Sequence, residues 1–365
     1  MLTHAAVLRS SHGPFTIEAL AVSDPGVHEV LVRVVATGMC HTDLLLRELP
    51  PEFFAGPQVY GHEGSGVVEA VGAGVTSVAA GDHVVLSFTS CHACPACAAG
   101  RRSYCFNFQL HNMSGGRVDG TSAFTDGAGE RVGSHFFGQS SFAHHTLVAE
   151  DSVVKVDASL DLSKLGPLGC GIQTGAGTVF NSLAVERGAS IVIAGAGALG
   201  LSAVMAARVV GAGAIIAIDR HANRLDLAKE HGATDVISAA PAELAAAIRE
   251  ASGGGSRYAF DTTGNAAVVR GLYEGLDNIG TLAMAGVGFG DVTFDFLSMI
   301  GGRRIVGVME GDSVPSELIP RLAALNASGE FPFDELIATF PIEQINEAEA
   351  ASTSGAVIKP VLTFD

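Results

Sequence analysis

Four of the chain's six cysteines fall in one short stretch, CHACPACAAGRRSYC (91–105), at Cys91, Cys94, Cys97 and Cys105. The spacing C-x2-C-x2-C-x7-C offers four thiolates. Four are enough to close a tetrahedral zinc and leave no position open for a substrate. An iron–sulfur cluster is the other metal reading, although no neighbouring pattern suggests an electron-transfer domain. Four cysteines buried without a ligand is the third. The remaining pair, Cys40 and Cys170, lie far apart, with Gly61-His62-Glu63 between them. Two thiolates, an imidazole and one exchangeable position describe a catalytic zinc of the Cys2His type. Spacing alone does not join them, because distant Cys and His residues often belong to an ordinary core.

A second chemistry lies in the apolar run SIVIA (190–194) and the turn after it, Gly195-Ala196-Gly197-Ala198-Leu199-Gly200. An apolar strand precedes this G-x-G-x-x-G and an Ala-rich helix follows. A second strand then ends at Asp219, nineteen residues past Gly200. With no side chains at Gly195 and Gly197, backbone N–H groups can approach a pyrophosphate at the helix N-terminus. Asp219 can accept hydrogen bonds from an adenosine ribose and would repel a 2′-phosphate, which favours NAD over NADP. Arg224 is the candidate cation on the adenosine side. The competing reading is a tight turn in an α/β sheet that binds nothing.

These groups need a scaffold, and the chain is long enough for two domains: 365 residues, 48% apolar and 16% charged. The formal charge of −17, without a Lys/Arg cluster, argues against nucleic acid and against anionic membrane surfaces. The N-terminal MLTHAAVLRS has no apolar core of signal-peptide type. The apolar run 191–207 is short and broken by three glycines, so no membrane span is expected. A cytoplasmic, reducing compartment is expected, where clustered cysteines hold metal rather than pair as disulfides.

The first ~150 residues carry short β-like runs: EVLVRVVAT (29–37), EGSGVVEAVG (63–72) and DHVVLSF (82–88). They predict a compact, mostly antiparallel β domain. From Ser190 the rhythm changes. Apolar strands at 190–194, 214–219, 235–238, 258–264, 281–286 and 304–309 alternate with helical segments such as 223–232 and 242–251. That alternation predicts a parallel sheet covered on both faces. A helix at 316–329 and a strand at 357–364 close the chain.

Taken together, these motifs resemble the zinc-dependent medium-chain alcohol dehydrogenases, over essentially the whole chain. GMCHTD (38–43), GHEGSGVVEAVGAGVTSVAAGDHV (61–84), GCGIQTGAG (169–177) and SGAVIKPVL (354–362) carry the resemblance. The GIQTGAG form and EGDSVPSELIP (310–320) look most like the aryl-alcohol branch, and the long stretch between Cys105 and Phe142 is similar to that of dimeric members. The resemblance implies an α/β protein, a doubly wound Rossmann parallel sheet plus a mostly β GroES-like catalytic domain. Its catalytic domain would span 1–171 and 309–365, and its NAD-binding domain 172–308. It implies two zinc ions per chain: a catalytic one on Cys40, His62 and Cys170, and a structural one on Cys91, Cys94, Cys97 and Cys105. Glu63 would lie beside the catalytic metal and ligate it transiently. Thr42 would accept a hydrogen bond from the alcohol oxygen and pass on its proton, and Asp43 would orient His62. NAD would meet His41, Thr174, Gly195, Gly197, Leu199, Gly200, Asp219, Arg224, Val287 and Lys359. Phe88 and Phe142 would wall the substrate pocket.

The chain also departs from the family pattern. Where many relatives have a relay histidine two residues after Asp43, this chain has Leu45. His41 and Lys359 stand where many have arginines on the pyrophosphate, with fewer fixed bidentate donors. The expected reaction is NAD-dependent oxidation of a primary alcohol, aromatic or allylic, to the aldehyde, and its reverse. The expected assembly is a homodimer or homotetramer. Two rivals stand beside it: a glutathione-linked formaldehyde dehydrogenase, which would want basic residues at the pocket mouth, and a non-catalytic NAD-binding zinc protein.

Overall fold

The computed structural model of the protein describes residues 1–48 and 50–364. Asp365, the last residue of the segment expected to return to the first domain, lies outside them. The chain divides into two compact units. The first holds Met1–Cys170, Val314–Ala323 and the chain from Asp334 on; the second holds Gly171–Ser313 and Ala324–Phe333. The sequence reading gave all of 309–365 to the first domain. Instead, 309–313 and 324–333 cluster with the second unit. Arg208 anchors the latter segment by donating to the Glu330 carbonyl at 2.8 Å, and Phe331 and Phe333 are fully buried.

The first unit is built on two sheets. In the larger, the strand Glu29–Gly38 lies centrally, paired antiparallel with Gly64–Val71, His145–Ala149 and Lys359–Thr363. Partners on both sides leave few of its residues exposed, so EVLVRVVAT buries Val30, Val32 and Val34 on one face and Leu31 on the other. Ile337–Pro341 adds a parallel strand beyond Lys359–Thr363. The smaller sheet runs in the order Gln58–Val59, Leu2–Leu8, Phe15–Val22, Phe124–Thr125, Arg131–Val132. A core rich in aromatics fills this unit, including Phe15, Phe88, Phe108, Phe124, Phe136, Phe137 and Phe142.

The second unit is a six-stranded sheet, all parallel. Its spatial order is Asp235–Ile237, Ala214–Ile218, Ser190–Ala194, Ser256–Asp261, Leu276–Met284, Arg304–Gly307. In chain order of the six strands this is 3-2-1-4-5-6, the doubly wound order. Helices Ala198–Val210, Ala222–Glu230, Leu244–Ser252 and Ala266–Glu274 connect them. Burial on both faces explains the unbroken apolar runs of IVIA and AIIAI. The helix Ala198–Val210 stops where Gly211 takes φ 76°, a left-handed cap that glycine adopts without strain. The helix Ala266–Glu274 was not foreseen: its sequence, AAVVRGLYE, mixes β-branched residues and glycine, and Asn265 starts it by capping the N–H groups of Ala267 and Val268.

Candidate metal centres and dinucleotide loop

Cys40 is the N-cap of the helix His41–Arg47, at the end of the central strand Glu29–Gly38. Its N–H donates to Asp43 Oδ2 at 3.0 Å. The other oxygen of Asp43 accepts from the Gly61 N–H at 3.1 Å and from His62 Nδ1 at 2.8 Å. One buried carboxylate thus ties the first and second ligand segments together and orients the imidazole. Gly61 has φ 90°, and a Cβ there would meet the Phe142 ring and backbone at 2.5 Å. Cys170 follows a tight turn, Gly166–Gly169, pressed onto the sheet: a Cβ on Gly169 would meet the Leu86 carbonyl at 2.0 Å. Ser87 Oγ donates to the Gly169 carbonyl at 2.6 Å and fastens it there.

The outcome is a cluster that spacing alone could not assemble. One donor atom from each of Cys40, His62, Glu63 and Cys170 lies within 4.8 Å of the others. All four residues belong to the first unit. With Nδ1 committed to Asp43, His62 Nε2 is buried without a hydrogen-bond partner among the described residues. A buried lone pair facing two sulfurs fits a metal ligand and little else. Charge agrees. Hydrogen bonding from Cys170, against burial, and the nearby His62 and Lys359 hold the Cys40 thiol well below its usual range. Burial acts to lower both His62 and Lys359, yet their anionic neighbours outweigh it and raise both, so the cluster favours a cation.

Glu63 is wholly buried, and burial, opposed by Lys359, raises its carboxyl. Its Oε2 lies 2.5 Å from Lys359 Nζ, which also donates to the Met39 carbonyl at 3.1 Å. Lys359, expected on the pyrophosphate, is 3% exposed, and two of its three donors are taken inside the first unit. Room for the pair exists because residue 38 is glycine; a Cβ there would stand 2.0 Å from Glu63 Oε2. Thr42 is half-buried, with Oγ1 3.7 Å from Cys40 Sγ. His41 is exposed and Leu45 half-buried on the same helix.

The four clustered cysteines also converge, two thiols buried and two half-buried. Cys94 and Cys97 sulfurs are 3.5 Å apart, and those of Cys91 and Cys97 3.9 Å. Disulfides need about 2 Å, whereas sulfurs about 2.3 Å from a tetrahedral zinc stand about 3.8 Å apart. Backbone N–H groups of Cys94, Phe106 and Cys91 point at Cys94's neighbour Cys91, at Cys94 itself and at Cys105, each 3.4 Å from sulfur. Hydrogen bonds, the Ala93 N–H first, bring Cys91 down to about 5, while burial pushes Cys105 up to about 12. A divalent cation offsets that asymmetry by favouring the thiolate at all four.

In the second unit the glycine motif divides its work. Gly195 takes φ 91°, and a Cβ on it would meet Thr262 Oγ1 at 2.2 Å. A Cβ on Gly200 would collide with the Gly195 carbonyl at 1.7 Å, so helix and strand pack there only with glycine. Gly197, the N-cap of Ala198–Val210, faces open space, the approach a pyrophosphate needs. Asp219 accepts from the Ala196 N–H at 2.8 Å and the His221 N–H at 2.9 Å, which holds its carboxylate beside the loop with further lone pairs available. Arg224 is half-buried, with Nε unpartnered among the described residues. Leu199 lies in the first helical turn, Thr174 is buried in the helix Gly171–Gly177, and Val287 is 66% exposed in the loop after Leu276–Met284.

The pocket residues need revision. Phe142 is fully buried, its ring edge-on to Phe15 at 5.9 Å and wedged beneath Gly61, so it is core and not wall. Phe88 is 3% exposed and packs on Phe108. The aromatic groups against the Cys40, His62 and Cys170 cluster are Phe137, stacked on His62 with centroids 4.6 Å apart, and Phe136, edge-on to it at 5.4 Å. Sequence reasoning missed both; their signal was the doublet Phe136-Phe137 before a glycine and the polar run Gln139-Ser140-Ser141. Their turn is held from a distance. His135 Nε2 donates to Glu29 Oε1 at 2.9 Å, and Arg117 Nε donates to the same oxygen at 2.6 Å. Burial acts to raise Glu29, but hydrogen bonds from His135, Arg117 and the Gly26 N–H hold it at about 2.

Two family models match the chain. The alcohol dehydrogenase GroES-like domain matches residues 26–158 and the zinc-binding dehydrogenase residues 198–326. A geraniol dehydrogenase of Castellaniella defragrans is 45% identical over 367 residues, 99% of this chain and 97% of the relative. The crystal structure of an alcohol dehydrogenase zinc-binding domain protein from Burkholderia ambifaria superposes with a TM-score of 0.96 at 48% identity, covering 100% of this chain and 99% of that one. That of a benzyl alcohol dehydrogenase from Acinetobacter calcoaceticus gives 0.95 at 42% identity, covering both chains fully.

Proposed function

The chain belongs to the zinc-dependent medium-chain alcohol dehydrogenases, and from that premise we propose that it oxidises primary alcohols bearing an adjacent π-system to aldehydes with NAD, and runs the reverse. The observation that carries this reading is the convergence of half-buried Cys40 with buried His62 and Cys170, Asp43 holding the imidazole. When bound there, zinc acts as a Lewis acid on the alcohol oxygen while NAD supplies the hydride acceptor. Thr42 Oγ1 accepts the hydrogen bond of the alcohol hydroxyl and, as it takes that proton, gives up its own hydroxyl proton outward. Cys40 and Cys170 supply the anionic ligand field, Asp43 fixes the tautomer of His62, and Glu63 with Lys359 forms a neutralised pair behind the site.

NAD is read from Gly195, Gly197, Gly200 and Asp219, and the second zinc from the four cysteines that fasten the 91–105 loop. His41, Arg224 and Lys359 remain the candidate cations for NAD, and Thr174, Leu199 and Val287 its candidate walls. The aromatic character comes from Phe136 and Phe137 beside the cluster. It also accords with two similar proteins whose names denote an allylic and a benzylic alcohol. No helix among the described residues is long and apolar enough to cross a membrane. We read a cytoplasmic homo-oligomer, dimer or tetramer, that takes small-molecule alcohols and aldehydes and no nucleic acid.

The test is a panel followed by NADH absorbance: benzyl alcohol, geraniol, 1-hexanol and the glutathione–formaldehyde adduct. Benzyl alcohol or geraniol should exceed 1-hexanol in kcat/KM by about tenfold or more, the scale set by one stacked ring in a closed pocket. Preference for the glutathione adduct, or no oxidation of any member, would overturn the reading.

A further inference from the structure

Phe137 has the least accommodating backbone for its side chain near the metal cluster: φ 51°, ψ 39°. A bulky L-residue avoids this left-handed region because its Cβ crowds the following carbonyl. Such a conformation persists where the surroundings over-determine it, and residues held that way cluster at functional sites. Here they are over-determined. The Gly138 N–H donates to the His135 carbonyl at 2.8 Å and the Gln139 N–H to the Phe136 carbonyl at 3.0 Å. The Gln139 side chain accepts from the Gly64 N–H at 3.1 Å and donates to the carbonyls of His62 at 2.9 Å and Ser87 at 3.2 Å. Ser140 Oγ accepts from the Phe136 N–H at 3.0 Å and donates to the Val59 carbonyl at 2.7 Å. His135, itself at φ 60°, is gripped between Ser134 and Glu29.

Among its contacts this turn delivers a face-on one: the Phe137 ring lies over the His62 imidazole, 4.6 Å between centroids and 28° between planes. Asp43 fixes Nδ1, but a single hydrogen bond leaves the imidazole free to rock about the line through that nitrogen. The Nε2 lone pair lies in the ring plane, so rocking turns it away from the Cys40 and Cys170 sulfurs. A face contact removes that freedom, and Phe136, edge-on at 89°, closes the adjoining side. We propose that Phe137 is a positioning residue for His62: the strained turn exists to set the plane of the imidazole, and through it the aim of Nε2. The proposal rests on reading Cys40, His62 and Cys170 as a metal site.

The test uses the full-length protein with cobalt(II) exchanged into that site, read by its visible ligand-field spectrum and by the rate of cobalt loss to a chelator. Phe137→Gly removes the ring and relieves the backbone; Phe137→Leu keeps apolar bulk without a flat face; Phe137→Tyr keeps the face. Partners that orient a metal-ligating histidine are worth roughly 10- to 100-fold in metal affinity. The Gly and Leu variants should therefore lose cobalt at least about tenfold faster, with a shifted spectrum, while Tyr stays native-like. Phe137→Gly gives up the packing of a buried ring and should melt lower, so misaiming is separated from unfolding by Phe137→Leu, whose melting temperature should fall by only a few degrees. Unchanged spectra and release rates in the Gly and Leu variants would overturn the role of Phe137 and leave the metal site standing. An unsubstituted protein that takes up no metal on these three ligands would overturn the site and this role with it.

Discussion

Substituting Glu29 by Gln tests whether an anchor remote from the metal holds the turn that carries Phe137. Glu29 sits on the central strand, 12% exposed at its side chain, and takes hydrogen bonds from His135, Arg117 and the Gly26 N–H. Against the cost of burial these hold its carboxyl at about 2, down from 4.5. A drop of about 2.5 units at about 1.4 kcal/mol each gives an upper bound near 3.4 kcal/mol of folded-state stabilisation. A neutral amide oxygen still accepts hydrogen bonds, so about 1–3 kcal/mol should be lost in Glu29→Gln. The assay is hydrogen exchange of the 134–141 amides, where that loss reads as about 5- to 150-fold faster opening at pH 7. The sign with pH follows from the depressed value. The contribution is complete above the unfolded pKa near 4.5 and fades as pH falls toward 2. At pH 4 the native anchor has lost a factor of about four, so the gap between native and variant narrows by that much. Equal exchange at pH 7, or a gap that does not narrow in acid, would refute the anchor.

Elemental analysis should find two zinc ions per chain, one lost in Cys97→Ser with loosening of the 91–105 loop, and the other lost in Cys170→Ser with turnover abolished and the fold kept; a fully active native protein with a single zinc would contradict this. NAD should exceed NADP in kcat/KM by on the order of a hundredfold, the scale of a like-charge clash at a binding site, and Asp219→Gly should narrow that preference; equal use of both by the native enzyme defeats the assignment of Asp219. Leu45→His should speed alcohol oxidation at low pH, by on the order of a hundredfold where proton transfer limits, and do little at high pH. Single-turnover measurement is required, since slow cofactor release would hide the effect, and an unchanged profile with hydride transfer rate-limiting removes the idea of a missing relay.

Which residues were legible in the sequence follows from what each has to satisfy. Cys91, Cys94, Cys97 and Cys105 could be read because a metal needs four sulfurs from a short loop, and few other demands produce that spacing. Gly195, Gly197 and Gly200 could be read because a left-handed turn and a helix packed onto the strand demand glycine at Gly195 and Gly200, and an open approach to the helix N-terminus favours it at Gly197. Six parallel strands were foreseen because burial on both faces forces apolar runs of the right length. The cluster of Cys40, His62 and Cys170 needed the resemblance, since Cys40 and Cys170 meet only through the turn that Ser87 fastens. Lys359 shows the limit most clearly. Its position on the last strand was correct, but nothing in the string says that Gly38 leaves space for Glu63 to reach it. That missing side chain is what lets a buried carboxylate reach the cation. Phe137 was invisible for the opposite reason. Glycine announces a left-handed turn, but a phenylalanine held there by Gln139, Ser140 and Glu29 leaves no local mark. The strain of about 1–3 kcal/mol at such a residue is offset by partners up to 108 positions away in the chain (137 − 29), so the residue that sets the plane of His62 can be found only once the chain is folded.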